Sequence, residues 1–180
     1  MVAVSRFLTA CGLDVLRFNF LYREAGLRRP DPMPLLVECM AGVAAIGVDK
    51  LRPRRTFLGG RSMGGRAATV LAANGHPCDG LLLLAYPLHP AGQPDRLRSS
   101  HLADIRVPVL CFNGTRDSLC RRELMETAIR GLDGWTMHWL EAADHGFHVT
   151  KSSGRTDEDV LQEIADQTAS WLSRFPARSG

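Results

Sequence analysis

Residues 56–65, Thr56-Phe57-Leu58-Gly59-Gly60-Arg61-Ser62-Met63-Gly64-Gly65, constrain this chain more than any other stretch. A short apolar run meets a corner of small residues and passes into the alanine-rich segment Arg66-Ala67-Ala68-Thr69-Val70-Leu71-Ala72-Ala73. The pattern reads as strand, sharp turn and helix, and Gly60-Arg61-Ser62-Met63-Gly64 spells G-x-S-x-G, the signature of a nucleophile elbow. A serine held in such a turn stands clear of the sheet. Gly60 and Gly64, two residues before and two after it, are expected to lie where a Cβ would clash with neighbouring backbone. The helix that follows aims its first N–H groups and its positive dipole end at the serine oxygen.

A chain of 180 residues fits a single domain over 1–180, long enough to bury roughly 70% of its unfolded surface. The net charge of +3 is too small to call for a nucleic-acid or membrane partner. The basic residues are almost all arginine, with clusters at Arg28-Arg29 and Arg52-Pro53-Arg54-Arg55. No aromatic residues interleave them, so they read as solvated loop charge. Cys11, Cys39, Cys78, Cys111 and Cys120 are odd in number and lack zinc-site or C-x-x-C spacing, which predicts reduced thiols in a cytoplasmic protein. Leu8-Thr9-Ala10-Cys11 resembles a lipoprotein cleavage box, but the apolar run after Arg6 is far too short for a signal peptide. No run approaches the roughly 18 apolar residues of a membrane span.

Along the chain, residues 5–12 read as the end of a helix closed by Gly12, and residues 14–20 as a strand covered on both faces. Residues 22–30 read as a polar loop. Asp31-Pro32 then predicts an N-cap and a first helical proline, with Leu36, Met40, Val43 and Gly47 marking one face of a helix to about residue 47. Strands are predicted at 55–59, 80–86, 107–112 and 136–140, and helices after Ser62 to Asn74-Gly75 and over 118–130. Thr156-Asp157-Glu158-Asp159 opens a last helix expected to bury Leu161, Ile164, Ala165, Trp171 and Leu172, followed by a tail at 176–180. Strands alternating with helices imply an α/β fold: a mostly parallel sheet of about five strands with right-handed crossovers and helices on both faces.

Ligands of such a sheet collect at the carboxyl ends of its strands. The loop after the fourth strand is Asn113-Gly114-Thr115-Arg116-Asp117, and that after the fifth is Glu141-Ala142-Ala143-Asp144-His145-Gly146-Phe147-His148. With Ser62 they give the order Ser, Asp, His. A serine hydroxyl becomes a good nucleophile when a neutral imidazole takes its proton, and the imidazole needs a carboxylate to fix its tautomer and stabilise its cation. His145 is the expected base and Asp117 the orienting acid; Asp144 is the weaker candidate, because adjacent side chains diverge. His145 and His148 lack a third ligand nearby, so no metal is expected.

These motifs resemble the α/β-hydrolase fold family, specifically its dienelactone hydrolase-related branch with the KANL and TEX hydrolase-like proteins. The resemblance rests on residues 59–66, Tyr86-Pro87-Leu88-His89-Pro90, Gly114-Thr115-Arg116-Asp117 and Ala143-Asp144-His145, and covers residues from about 14 to the last helix. It implies Ser62, Asp117 and His145 as the triad, with the backbone N–H of Met63 in the oxyanion hole. One departure stands out. Family members carry a strand ending in an HG-type loop, which supplies the second oxyanion donor and lies between the strands equivalent to 14–20 and 55–59. Without it, those two strands are expected to pair directly or to leave open edges through which the chain could form a homo-oligomer; a truncated start is the other explanation.

The resulting expectation is a serine hydrolase of a small-molecule carboxylic ester or thioester, working through an acyl-enzyme without metal or organic cofactor. The alternative is a non-catalytic protein-interaction module of the same fold. Arg61 and Arg116 flank the nucleophile and the acid and are candidate substrate-binding residues for an anionic ligand; the competing expectation is that they project away from the pocket into solvent or hold loops by ion pairs.

Overall fold

Alternating apolar residues in the two inner strands sort the core into two layers. In the computed structural model, which describes residues 2–175, Leu81, Leu83, Val109 and Cys111 join one buried cluster. Leu84, Leu110 and Phe112 join another. Strands buried on both faces are the mark of a parallel sheet. The tail expected at 176–180 lies outside the described residues.

The strands are β1 (Phe57–Arg61), β2 (Gly80–Leu84), β3 (Val109–Gly114) and β4 (Trp135–Leu140), all parallel and in the order β1-β2-β3-β4. Helix α4 (Met63–Ala73) connects β1 to β2, and α5 (Arg122–Ala128) connects β3 to β4. A longer excursion with one 3-10 turn (Leu102–Asp104) connects β2 to β3. Helix α3 (Met33–Leu51) supplies Leu36 and Met40 to the first cluster. Helices α1 (Val2–Ala10) and α6 (Asp157–Leu172) supply Val4, Leu8, Val160, Ile164 and Trp171 to the second. Helices therefore cover both faces, as expected.

The strand expected at 14–20 does not form, so among the described residues the sheet has four strands rather than about five. Residues 13–20 carry no strand pairing, and β1 pairs with β2 alone. The expected cover on both faces is missing too: Val15, Leu16 and Phe18 are exposed, and only Phe20 is buried. Phe20 is buried in the cluster with Leu36, Met40 and Leu58, and Leu16 Cδ2 comes so close to Gly47 of α3 that a Cβ there would lie 3.0 Å away. β-branched and aromatic content favours an extended chain, but a strand also needs a hydrogen-bonding neighbour.

Helix boundaries moved for identifiable reasons. Asp31 does not cap α3; its Oδ2 accepts the Tyr22 N–H (3.2 Å), Pro32 takes the N-cap position and Pro34 sits in the first turn. The helix runs past Gly47 to Leu51 and ends at Arg52, with φ 44°. The expected polar loop at 22–30 opens within a one-turn helix, α2 (Leu21–Glu24). On α6 the capping box is present: Asp159 N–H donates to Thr156 Oγ1 (3.1 Å) and Thr156 N–H to Asp159 Oδ2 (2.8 Å). Its fully buried stripe is Val160, Ile164, Ala165, Thr168 and Trp171, with Leu161 and Leu172 only partly covered.

Candidate active site

Ser62 sits between β1 and α4 with φ 53° and ψ −114°. For a residue with a Cβ this backbone costs about 1–3 kcal/mol and must be imposed by its surroundings. Two features impose it. Ser62 N–H donates to Leu84 O at the end of β2 (2.8 Å), and the turn closes on itself through glycine. A Cβ on Gly60 would lie 2.8 Å from the Gly64 carbonyl carbon, and one on Gly65 would lie 2.9 Å from Gly60 O. Gly64 itself has room, since its Cβ would meet only the Phe20 ring at 3.9 Å. The second close approach therefore belongs to Gly65 and not, as the motif spacing suggested, to Gly64.

The loops after β3 and β4 are laced together. Thr115 N–H donates to Leu140 O (3.0 Å), Arg116 N–H to Ala143 O (2.9 Å) and Ala142 N–H to Thr115 Oγ1 (2.9 Å). Gly114 permits this approach, because a Cβ there would lie 2.1 Å from Ala143 O. His145 stands in a tight turn. Asp144 N–H donates to His148 O and Phe147 N–H to Asp144 O, both at 3.0 Å, while Asp144 Oδ1 accepts the Gly146 and His148 N–H groups. The Asp144 carboxylate is thus spent inside its own turn.

Three side chains meet as a result. Ser62 Oγ lies 2.9 Å from His145 Nε2, and His145 Nδ1 lies 2.9 and 3.0 Å from the two oxygens of Asp117. An ionised carboxylate only accepts hydrogen bonds, so Nδ1 carries the proton and Nε2 of the neutral ring accepts from the serine hydroxyl. The Asp117 side chain has no exposure to solvent, whereas that of His145 keeps 25%. Asp117 also accepts from Leu119 N–H through Oδ1 (2.8 Å) and from Asn113 Nδ2 through Oδ2 (3.1 Å).

Asn113 is a residue that sequence reasoning gave no role. Fully buried at the end of β3, its amide donates to Tyr86 O as well as to Asp117, while its Oδ1 accepts the Tyr86 N–H, all at 3.1 Å. It ties the aspartate to the end of β2. His89 makes a second such tie: its backbone N–H donates to Leu119 O (3.1 Å), and its Nε2 accepts the Arg121 N–H (3.3 Å). The only sequence signal for Asn113 is a carboxamide at the end of an otherwise apolar strand. Beside it, burial pushes the Cys111 and Cys120 thiols up, reinforced in both by the Asp117 carboxylate, so they stay protonated.

The two candidate arginines bond to the histidine loop. Arg61 Nη2 donates to His145 O (3.0 Å) and its guanidinium lies 5.9 Å from the Phe147 ring centre; Arg116 Nη1 donates to Ala142 O (3.1 Å). Both contacts are to neutral backbone carbonyls rather than the ion pairs expected of loop-holding arginines. Met63 is the first residue of α4, so its N–H has no intrahelical acceptor. Among the described residues no group of three or more His, Cys, Asp or Glu could hold a metal ion, and no helix is long and apolar enough to cross a membrane. His148 pairs instead with Asp157 (2.6 Å).

Residues 1–173 match the Alpha/beta hydrolase domain family. The chain belongs to that family. Solved α/β hydrolases share its fold at low identity. A serine hydrolase homologue from Coxiella burnetii is 19% identical, with a TM-score of 0.72 over 95% of this chain and 74% of that one. The esterase domain of a Rhodothermus marinus protein is 19% identical, with a TM-score of 0.68 over 96% and 79%. A monoacylglycerol lipase from Paleococcus ferrophilus is 13% identical, with a TM-score of 0.57 over 80% and 78%. Across this α/β-hydrolase domain, all three hydrogen-bonded side chains stand beyond carboxyl ends of strands, where the fold collects ligands.

Proposed function

We propose that this α/β-hydrolase domain is a serine hydrolase that cleaves a small-molecule carboxylic ester or thioester through an acyl-enzyme. The observation that carries this reading is the 2.9 Å contact between Ser62 Oγ and His145 Nε2, on a ring whose other nitrogen is held by buried Asp117. In the first half-reaction Ser62 Oγ attacks the carbonyl carbon while its proton passes to His145 Nε2. Asp117 stabilises the imidazolium. The tetrahedral oxyanion faces the Met63 N–H and the positive end of α4. Collapse breaks the bond to the leaving alcohol or thiol, which takes the proton from His145 and leaves acyl-Ser62. Water then attacks the ester with His145 as base, and the carboxylic acid departs as Ser62 recovers its proton. The resemblance to the dienelactone hydrolase-related branch rests on the motifs at 59–66, 86–90, 114–117 and 143–145 and would place the substrate among small esters and lactones.

Hydrolysis of p-nitrophenyl acetate tests the reading. The wild-type protein should release p-nitrophenolate, and Ser62→Ala should lower kcat by more than about 10³-fold, since the nucleophile is required for the acyl-enzyme. Turnover unchanged by Ser62→Ala would refute it, and a folded protein without turnover would favour the interaction module.

A further inference from the structure

Beside Ser62, His145 and Asp117, the excursion between β2 and β3 and the first turn of α4 enclose a cleft of about 470 Å³ lined by Arg66, Pro90, Asp95, Arg96, Leu97 and Arg98. That volume is within the range of small-ligand sites. Its lining brings three guanidinium groups against one carboxylate, and among the described residues none of the three arginines makes a salt bridge. Arg66 Nε is buried with no hydrogen-bond partner. Arg98 Nη1 has a neutral acceptor, Pro87 O, and Arg96 Nη1 another, Gln93 Oε1. Buried donors without acceptors are costly. The positive charges also act on one another: burial, followed by the charges of Arg66 and Arg96, pulls the Arg98 guanidinium below its ordinary range. Burial and then Arg66 do the same to His101.

The cleft is preformed by its own backbone. Arg98 N–H donates to Leu88 O (2.7 Å), Arg98 O accepts the Tyr86 hydroxyl (2.7 Å), Gln93 N–H donates to Pro90 O and Arg96 N–H to Gln93 O, both at 3.1 Å. Burial pushes the Tyr86 hydroxyl up to about 12, so it stays a donor. His101 is held as well. Thr69 Oγ1 donates to Arg66 O (2.8 Å), so it accepts from His101 Nε2 (2.9 Å) and fixes that tautomer. The excursion starts at the carboxyl end of β2, and Arg66 sits one helical turn beyond Ser62, its N–H bonded to Ser62 O (3.1 Å). The cleft is therefore built from segments that leave the same end of the sheet as the triad.

We propose that this arginine cleft binds an oxyanion, a carboxylate or a phosphate, carried by the substrate. Guanidinium groups bind such planar or tetrahedral oxyanions through paired, charge-assisted hydrogen bonds. The substrate is then an ester or thioester with an anionic group remote from the scissile bond. The part of this inference that concerns substrate rests on the hydrolase reading above; binding of the anion does not.

Two experiments separate them. First, phosphate and succinate are titrated calorimetrically at low ionic strength into the full-length Ser62→Ala protein, alone and combined with Arg96→Gln, Arg98→Gln or Asp95→Asn. Arg96 is exposed, so its substitution leaves folding intact even where Arg98→Gln does not. The expected result is binding of at least one anion, weakened roughly tenfold by each arginine substitution, as for loss of one charge-assisted hydrogen bond, and tightened by Asp95→Asn. Stronger binding of phosphate than succinate assigns a phosphate-bearing substrate, and the reverse a carboxylate. No binding of either anion, or binding indifferent to Arg96→Gln and Asp95→Asn, overturns the proposal. Second, the ratio of kcat/KM for mono-p-nitrophenyl succinate over p-nitrophenyl butyrate is compared between the wild type and Arg96→Gln. A ratio that falls in the variant supports the substrate assignment; an unchanged ratio overturns it even where anions bind. Anion binding in a protein that hydrolyses no ester contradicts the hydrolase reading and leaves the site itself supported.

Discussion

Asn113 and Arg61 brace the hydrogen-bonded set of Ser62, His145 and Asp117 from outside it, one at the carboxylate and the other at the histidine loop. Asn113 holds Asp117 Oδ2 and both backbone polar groups of Tyr86. Replacing it by alanine leaves the buried Tyr86 N–H without its acceptor and takes from Asp117 Oδ2 one of its two donors, the other being His145 Nδ1, which should destabilise the fold by about 1–3 kcal/mol. Asn113→Ala is expected to lower Tm and to reduce kcat more than it raises KM, measured by thermal unfolding and ester hydrolysis. Arg61 supports the histidine from the nucleophile side, through His145 O and the Phe147 ring. Arg61→Met keeps the length of the stem and removes the donor, so kcat should fall about tenfold for a roughly ångström-scale loosening of the base while KM for a neutral ester stays near wild type. A rise in KM with kcat intact would instead assign Arg61 to substrate binding. Ser62, Asp117 and His145 could be read from sequence because each lies just beyond a strand, in a loop of small and polar residues. Asn113 could not, since it lies inside a buried strand and its role comes from bonding both polar groups of the Tyr86 peptide, a contact that no motif marks. Gly65 was hidden as well: the spacing pointed at Gly64, and only the packing of helix on strand shows that a Cβ on Gly65, and not one on Gly64, would meet the Gly60 carbonyl.

Elements with local signals were legible and those that depend on a neighbour were not. The α6 start is local, written in Thr156 and Asp159, and the capping box forms. Removing the Thr156 side chain should cost about 1 kcal/mol. The backbone N–H of Thr156 holds the Asp159 carboxyl below its ordinary range. A depressed carboxyl contributes stability that is present above its unfolded pKa and is lost as pH falls through its lower folded value. Asp159→Asn, which keeps an acceptor oxygen but no titrating carboxyl, should therefore lower Tm near neutral pH, and Tm should depend less steeply on pH below about 4 than in the wild type, as measured by circular dichroism across pH. An identical pH slope in both proteins would contradict the coupling. Residues 14–20 are the opposite case. Their composition favours extension, but pairing is decided by what lies alongside, and here Phe20 packs with Leu36, Met40 and Leu58 while Val15, Leu16 and Phe18 stay exposed.

At the scale of the molecule, the alternation of strands with helices along the chain correctly implied a parallel sheet between helical layers, and the inner strands bury both faces accordingly. The strand count was beyond reach for the same reason as the strand at 14–20. The sheet's order also explains the site: β1, β3 and β4 deliver serine, aspartate and histidine to one end, and β2 anchors both the elbow through Leu84 and the aspartate through Tyr86. The account stands on Ser62 being the activated nucleophile, and a fluorophosphonate probe measures that directly. Intact-mass and peptide analysis should find one adduct, on Ser62, lost in Ser62→Ala and strongly slowed in His145→Ala. An adduct on another serine, or a folded protein that remains unlabelled, would contradict it.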